Sequence, residues 1–246
     1  MARVLVTGST DGLGLATAET LLDGGHDVIV HARSRQRMVA VRQLIDRGAH
    51  CLVAELADPA DVRQMADQAN QIGAIDAVIH NAGVLNGLAL LPVNVVAPYV
   101  LTALIQGPRR LIYLSSGMHR GGDTGLNGLD WTGRSATASY STSKLHVTAL
   151  SAAVARHAPR IVSSAVDPGW VPTRMGGRSA PDDLRLGHRT QEWLATSDDA
   201  AALSSGGYWY HQRTHTPHPA ARDQRFQDAL LAQLAEHTGV TLESLT

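Results

Sequence analysis

The chain has one cysteine, Cys51, in 246 residues. A single thiol cannot make an intrachain disulfide. It fits a reducing, cytoplasmic compartment, and Cys51 reads as a small core residue in a strand. Excess charge is lacking too: 21 Lys and Arg stand against 22 Asp and Glu, for a formal net charge of −1. That balance gives no electrostatic reason to expect nucleic acid or an anionic membrane as partner. Long apolar runs are also missing. The most apolar stretch, Val84–Ile105, is broken by Asn86, Gly87, Pro92, Asn94 and Pro98, so it reads as a buried helix and not a membrane span. No Pro/Ser linker, charge run or repeat marks a boundary, so residues 1–246 are expected to form a single domain. Met1-Ala2-Arg3 leads straight into Val4-Leu5-Val6, which leaves no room for a signal peptide. What remains is an ordinary globular composition, 44% apolar.

Strand and helix patterns alternate along that composition. Arg3–Thr7 is a short apolar run that enters Gly8-Ser9-Thr10-Asp11-Gly12-Leu13-Gly14, and a helix-prone segment, Leu15–Asp23, follows. Glycines there let the backbone turn tightly and approach a pyrophosphate at a helix N-terminus. The spacing is GxxxGxG and departs from GxGxxG, so a purely structural turn also fits. His26–Ala32 predicts a second strand, Ser34–Arg47 a basic helix, Ala49–Ala54 a third strand, and Ile75–His80 a fourth. Asp58-Pro59 opens a helix as N-cap and first turn. Leu88–Gln106 predicts a helix that Pro98 should kink near Asn94, freeing a carbonyl that could hold a water. Asn94 as an N-cap after Pro92-Val93 is the alternative. Arg110–Leu114 and Ile161–Val166 predict a fifth and a sixth strand. The tail predicts a helix near Asp182–Ala195, a short helix from Asp198, a strand at Gly207–His211 and an amphipathic helix near Asp223–His237. Such alternation means βαβ units and an α/β fold, with a parallel sheet carrying helices on both faces.

Chemistry gathers at the carboxyl ends of these strands, where open α/β sheets bind ligands. The second strand ends in Arg33-Ser34-Arg35-Gln36-Arg37, with no acid to meet a ribose 2′-hydroxyl. Guanidinium groups there suit a 2′-phosphate, so NADP(H) is favoured over NAD(H). The fourth strand ends in Asn81-Ala82-Gly83, the fifth in Ser115-Ser116-Gly117, and the sixth in Asp167-Pro168-Gly169. Ala136–His157 reads as a helix and carries Tyr140 and Lys144, four residues apart on one face. A fixed positive charge beside a phenol favours the phenolate, which would lower the Tyr140 pKa and fit it for proton transfer. Alone, that pair also fits an ordinary surface contact. His211, His215 and His218 sit close in sequence, but Pro217 and Pro219 interrupt them and no thiol or carboxylate is adjacent, so no metal is expected.

Taken together, these motifs resemble the short-chain dehydrogenase/reductase family, in its non-extended, retinol-dehydrogenase-like group. The resemblance covers about the first 175 residues and implies a single Rossmann-type, doubly wound parallel sheet, with residues 170–246 supplying the substrate loop and C-terminal elements. Asn94, Ser116, Tyr140 and Lys144 match the family's catalytic tetrad. The cofactor would meet Gly8, Ser9, Asp11, Gly12, Leu13, Arg33, Ser34, Glu55, Leu56, Asn81, Ala82, Gly83, Tyr140, Lys144, Pro168, Gly169, Val171 and Thr173. Asp58 competes with Glu55 for the adenine.

What the resemblance implies is hydride transfer between nicotinamide and a hydrophobic ketone, aldehyde or alcohol. Tyr140 would act as acid/base, Ser116 would polarise the carbonyl, Lys144 would tune Tyr140, and Asn94 would hold a water. Met118, His119, Trp131, Trp170, Met175 and Trp193 are expected to line the substrate pocket. A non-catalytic NADP(H)-binding regulator, or a dehydratase or epimerase on the same fold, are the competing readings. Relatives usually dimerise through the helices carrying the asparagine and the tyrosine. Here the first is short and proline-broken, and the second offers Leu145, Ala149, Ala152, Ala153 and Arg156, so a monomer or an atypical dimer is expected.

Overall fold

Alternating apolar residues in short strands need a cover on both faces, and the chain supplies it with helices between the strands. The computed structural model describes residues 1–242. In chain order the elements begin β1 (Arg3–Val6), α1 (Gly12–Asp23), β2 (Asp27–Ala32), α2 (Arg42–Asp46), β3 (His50–Val53), α3 (Pro59–Ile72) and β4 (Ala77–His80). They continue with α4 (Ala97–Leu104), β5 (Arg110–Leu114), α5 (Tyr140–His157), β6 (Val162–Asp167), α6 (Leu184–Thr196), β7 (Gly207–Tyr210), β8 (Arg213–Thr214) and α7 (Gln224–Thr238).

The sheet order is β3-β2-β1-β4-β5-β6-β7-β8. All pairings are parallel except β7 with β8. The strand order reverses at β1, between β2 and β4, and a crevice opens at that switch point. Side chains alternate across the sheet. Leu5, Ile29, Val78 and Leu111 join the core under α3, α4, α5 and α7. Val4, Val6, Val28, Val30 and Ile79 join the core on the opposite face, with Leu21, Leu44 and Leu194 from α1, α2 and α6.

Local chemistry sets the helix starts. Asp58 accepts from Ala60 N at 2.8 Å with Pro59 in the first turn of α3, and Asp183 and Asp223 cap α6 and α7 in the same way. The region around Asn94 holds a π-helical turn, Pro92–Val96, in which Ala97 N donates to Pro92 O. Pro98 has no N–H to offer the Asn94 carbonyl, so the wider turn absorbs the missing bond.

Several boundaries differ from expectation. Ser34–Arg47 is a 3-10 segment (Arg35–Val41) followed by the five-residue α2, and no side chain caps its start. Residues 136–139 precede α5, because the Ser139 hydroxyl accepts from Thr142 N and starts the helix at Tyr140. No helix starts at Asp198. That residue pairs with Arg110, and Asp199 accepts from the indole N–H of Trp193 at 2.6 Å, so neither caps a helix. The short β8 carries no pattern of its own and exists as the return of a hairpin on β7. No helix among the described residues is long and apolar enough to cross a membrane.

Candidate active site

The floor of the crevice is the glycine turn. Gly8 has φ +66°, and a Cβ there would stand 2.9 Å from Ala82 Cα, so only glycine fits against the strand-end residue that faces it. At Gly14 a Cβ would meet Asn81 Nδ2 at 2.3 Å and Gly8 O at 2.5 Å. This close approach seats α1 on the sheet. Asn81 holds the turn from below, donating to Thr7 O at 2.8 Å and Gly8 O at 3.3 Å. His31 holds it from the side: its Nδ1 accepts from Gly8 N at 2.9 Å while Nε2 donates to Ala54 O at 2.9 Å. Burial pushes the His31 pKa down, which suits a neutral ring used at both nitrogens.

Across the crevice, a Cβ on Gly12 would lie 3.0 Å from Thr173 Cγ2. The Pro168–Thr173 loop therefore closes on the start of α1. Val171 is buried and packs towards Gly187, with Leu13 nearby. Asp182 folds that loop back by accepting from Trp170 N at 2.6 Å. A dinucleotide fits these walls: a helix N-terminus with backbone N–H groups, turns too tight for side chains, and a loop facing them.

Some expected cofactor contacts change in this geometry. Ser9 is fully buried, its hydroxyl donating to Val6 O and accepting from His31 N, so it braces the turn. Asp11 is spent on Gly12 N at 2.8 Å. Leu56 turns its side chain into the core. Asp58 caps α3, and the exposed Glu55 accepts from Ala57 N at 3.2 Å. Arg33 is exposed and Ser34 half-exposed at the end of β2. Arg37 joins them, its guanidinium 3.3 Å from Thr10 Oγ1 and 3.9 Å from Asp11.

Ser116, Tyr140, Lys144 and Asn94 converge beside Gly83. A Cβ on Gly83 would lie 3.4 Å from Asn94 Oδ1 and 3.5 Å from Lys144 Nζ. Lys144 is buried, donates to Leu114 O at 2.7 Å, and places Nζ 5.5 Å from the Tyr140 ring centroid. Asn94 is not an N-cap. Its Oδ1 accepts from Val84 N at 2.8 Å, and its Nδ2 donates to Val84 O at 2.9 Å and to Ser143 Oγ at 3.0 Å.

The expected lowering of the Tyr140 pKa does not occur in this site. Burial pushes it up to about 12. A hydrogen bond from the Ser116 side chain pulls it down, and the charge of Asp167 raises it further. Burial also pushes Lys144 down to about 8. Desolvation thus outweighs the attraction between the pair.

Asp167 and Tyr208 brace the wall from behind, and neither was assigned a role from sequence. Tyr208 donates to Asp167 Oδ2 at 3.0 Å, and Gly169 N donates to Oδ1 at 3.0 Å. His119 is fully buried with both ring nitrogens bonded, so it does not line a substrate pocket. Trp131 lies away from the site, on a cavity of about 350 Å³ between α3, α4 and the end of α7, with its N–H on Gln233. Trp193 packs edge-on against Trp209 on the opposite face of the sheet. Met118, Trp170 and Met175 are exposed. His211 and His215 pack around Tyr210, while His218 accepts from Ala220 N. Among the described residues no three metal-ligating side chains converge.

Residues 2–101 match the family model described as short chain dehydrogenase. The chain is 36% identical to the short-chain dehydrogenase chry4 of Gibberella zeae, over 99% of this chain and 100% of that protein. It is 25% identical to human retinol dehydrogenase 13, over 98% of this chain and 86% of the other. The fold matches a blue fluorescent protein from a metagenomic library in complex with NADPH, with a TM-score of 0.69 and 23% identity over 85% of this chain and 95% of that one. With the glycine turn, the Ser116–Tyr140–Lys144 cluster and this full-length likeness, the chain belongs to the short-chain dehydrogenase/reductase family of oxidoreductases.

Proposed function

We propose that the protein is an NADP(H)-dependent carbonyl reductase acting on a hydrophobic ketone or aldehyde, with Tyr140 as the proton donor. The observation that carries this reading is the convergence of Tyr140, Ser116 and Lys144 at the carboxyl edge of β5, beside the glycine turn.

When bound, the nicotinamide cofactor supplies the hydride. The chain supplies everything else. Tyr140, with its pKa pushed up to about 12, is protonated at neutral pH and can give its proton to the oxygen of a carbonyl as alkoxide develops. Ser116 is placed to hydrogen-bond that same oxygen, a contact that strengthens as charge builds. Tyr140 is left as phenolate, and the Lys144 ammonium over its ring stabilises that form. A water held at the π-helical turn around Asn94 would return the proton to Lys144 and Tyr140. Arg33, Ser34 and Arg37 offer cationic and hydroxyl donors for a 2′-phosphate. The exposed Met118, Trp170 and Met175 supply apolar surface for the substrate.

The test is oxidation of NADPH by purified protein with benzaldehyde, acetophenone and bulkier aryl ketones, run beside NADH. Carbonyl-dependent NADPH loss supports the reading. Tight NADPH binding with no turnover across the panel would instead favour a binding protein.

A further inference from the structure

We propose that His119 is a positioning residue for Ser116, tying the catalytic serine turn to the C-terminal segment that packs on the tyrosine helix. The proposal rests on the reading of Ser116 as an active residue.

The Ser116 carbonyl receives two bonds from one residue: His119 N donates at 3.0 Å and His119 Nδ1 at 2.7 Å. The other ring nitrogen, Nε2, accepts from His218 N at 2.9 Å. A backbone amide can only donate, so Nε2 carries no proton and Nδ1 does. One neutral tautomer satisfies both contacts. The ring has no exposed surface and packs at a tilt, centroids 4.6 Å apart, against Tyr208, whose hydroxyl holds Asp167. Its charged or titratable neighbours are Arg120, Asp167 and His218, and burial leads the causes that push its pKa down.

Beyond His218 the chain turns into Pro219–Arg222 and then α7. The His218 ring caps that turn by accepting from Ala220 N at 3.1 Å. Gln227 ties the turn to α7 through Ala221 O at 2.8 Å, and Arg156 of α5 donates to Gln227 Oε1 at 3.0 Å. A continuous path therefore runs from the Ser116 carbonyl, through the His119 ring and the C-terminal turn, to the helix that begins at Tyr140. Ser116 and Tyr140 sit on different elements, and a small error in their spacing is costly for a shared substrate oxygen. His119 is buried with both ring nitrogens bonded, so it acts through Ser116.

Three variants separate the contacts. His119→Asn keeps a donor where Nδ1 stands. His119→Gln keeps an acceptor where Nε2 stands. His119→Phe keeps the ring on Tyr208 and neither bond. With NADPH and benzaldehyde, His119→Phe should lower kcat by ~10–100-fold while KM and the NADPH Kd stay within about threefold. His119→Asn should recover part of that loss. In a Ser116→Ala background, His119→Phe should cost nothing further, because the positioned group is gone. Multiplicative losses in the double variant, or a raised KM with kcat intact, would overturn the proposal.

The tautomer gives a second reading, independent of both turnover and variant folding. Long-range 15N–1H correlation on the wild-type protein at neutral pH should show His119 protonated at Nδ1 and bare at Nε2. An Nε2-protonated ring or an imidazolium would overturn the proposal. A wild-type protein that reduces no carbonyl would count against the reductase reading, and the tautomer would then decide the His119 arrangement by itself.

Discussion

The Asn94 carboxamide donates to Ser143 Oγ at 3.0 Å, and Ser143 in turn donates to the carbonyl of Tyr140 at 2.7 Å. This relay ties the π-helical turn before α4 to the first turn of α5, where Tyr140 sits. Asn94 also satisfies both backbone groups of Val84. Its side chain is therefore fully engaged in holding elements together.

Tyr140→Phe removes the proton donor and keeps the ring. Turnover of any carbonyl substrate should fall by ~10²–10⁴-fold, with NADPH binding nearly unchanged. Steady-state kinetics beside a fluorescence titration of NADPH would check both halves. A variant that keeps wild-type kcat would remove Tyr140 from the chemistry.

Arg33 and Arg37 bear on cofactor choice together. Arg33→Ala should weaken NADPH by ~10-fold and the Arg33→Ala/Arg37→Ala pair by ~100-fold, with NADH within about twofold. Arg37 also meets Thr10 and Asp11, so its loss alone should disturb the glycine turn slightly and affect both cofactors a little. Equal NADH and NADPH affinity in the wild type would defeat this reading.

Most of the strands and the glycine turn were legible in the sequence because each rests on short-range pattern. Val4-Leu5-Val6 and Val28-Ile29-Val30 alternate between the two cores, and Gly8, Gly12 and Gly14 mark positions where side chains do not fit. The tryptophans were not legible in this way. Trp131 and Trp193 are large and apolar wherever they sit, and only the fold puts one under α7 and the other beside Trp209. The sequence order Ser116, Gly117, Met118, His119 suggested a pocket wall. A 3-10 turn at Gly117–Gly121 instead sends Met118 outward and His119 inward. Likewise, the i, i+4 spacing of Tyr140 and Lys144 correctly implied neighbours, but their degree of burial, which reverses the expected pKa shift of Tyr140, is a tertiary property.

Lys144→Met should separate stability from function. The folded-state pKa of about 8, against an ordinary 10.5, means the fold binds fewer protons than the unfolded chain between those values. Stability contributed by this site therefore rises with pH across that window, and the burial cost is complete below about pH 8. That cost is about 3 kcal/mol from the shift, offset by about 1 kcal/mol for the bond to Leu114 O. Lys144→Met should thus raise Tm by ~5 °C at pH 6.5, with the gain shrinking towards pH 10.5. Activity should move the other way, lost in the variant and declining in the wild type as pH passes about 8. Calorimetry across pH would sink the argument if Lys144→Met were less stable at pH 6.5.

Assembly is decided by what covers α5. Leu145, Ala149 and Ala153, which the sequence places on the outer turns of this helix, are fully buried within the chain itself. α7 packs on α5, with Leu230 and Leu234 in the same core as Leu150 and Val154. Arg156 pairs with Asp228, and Tyr99 of α4 donates to Val240 O at 2.7 Å just beyond α7. We propose that α7 takes the place of the helix a partner would bring to a four-helix bundle. Light scattering at micromolar concentration should give the mass of one chain, or of a dimer built on another face. Ala149→Glu and Leu234→Glu should each bury an unpaired charge and cost several kcal/mol of stability, so they should unfold the protein before they change its mass. A stable wild-type dimer that Ala149→Glu converts to an equally stable monomer would show that the α5 face is open to a partner, and that α7 does not hold it.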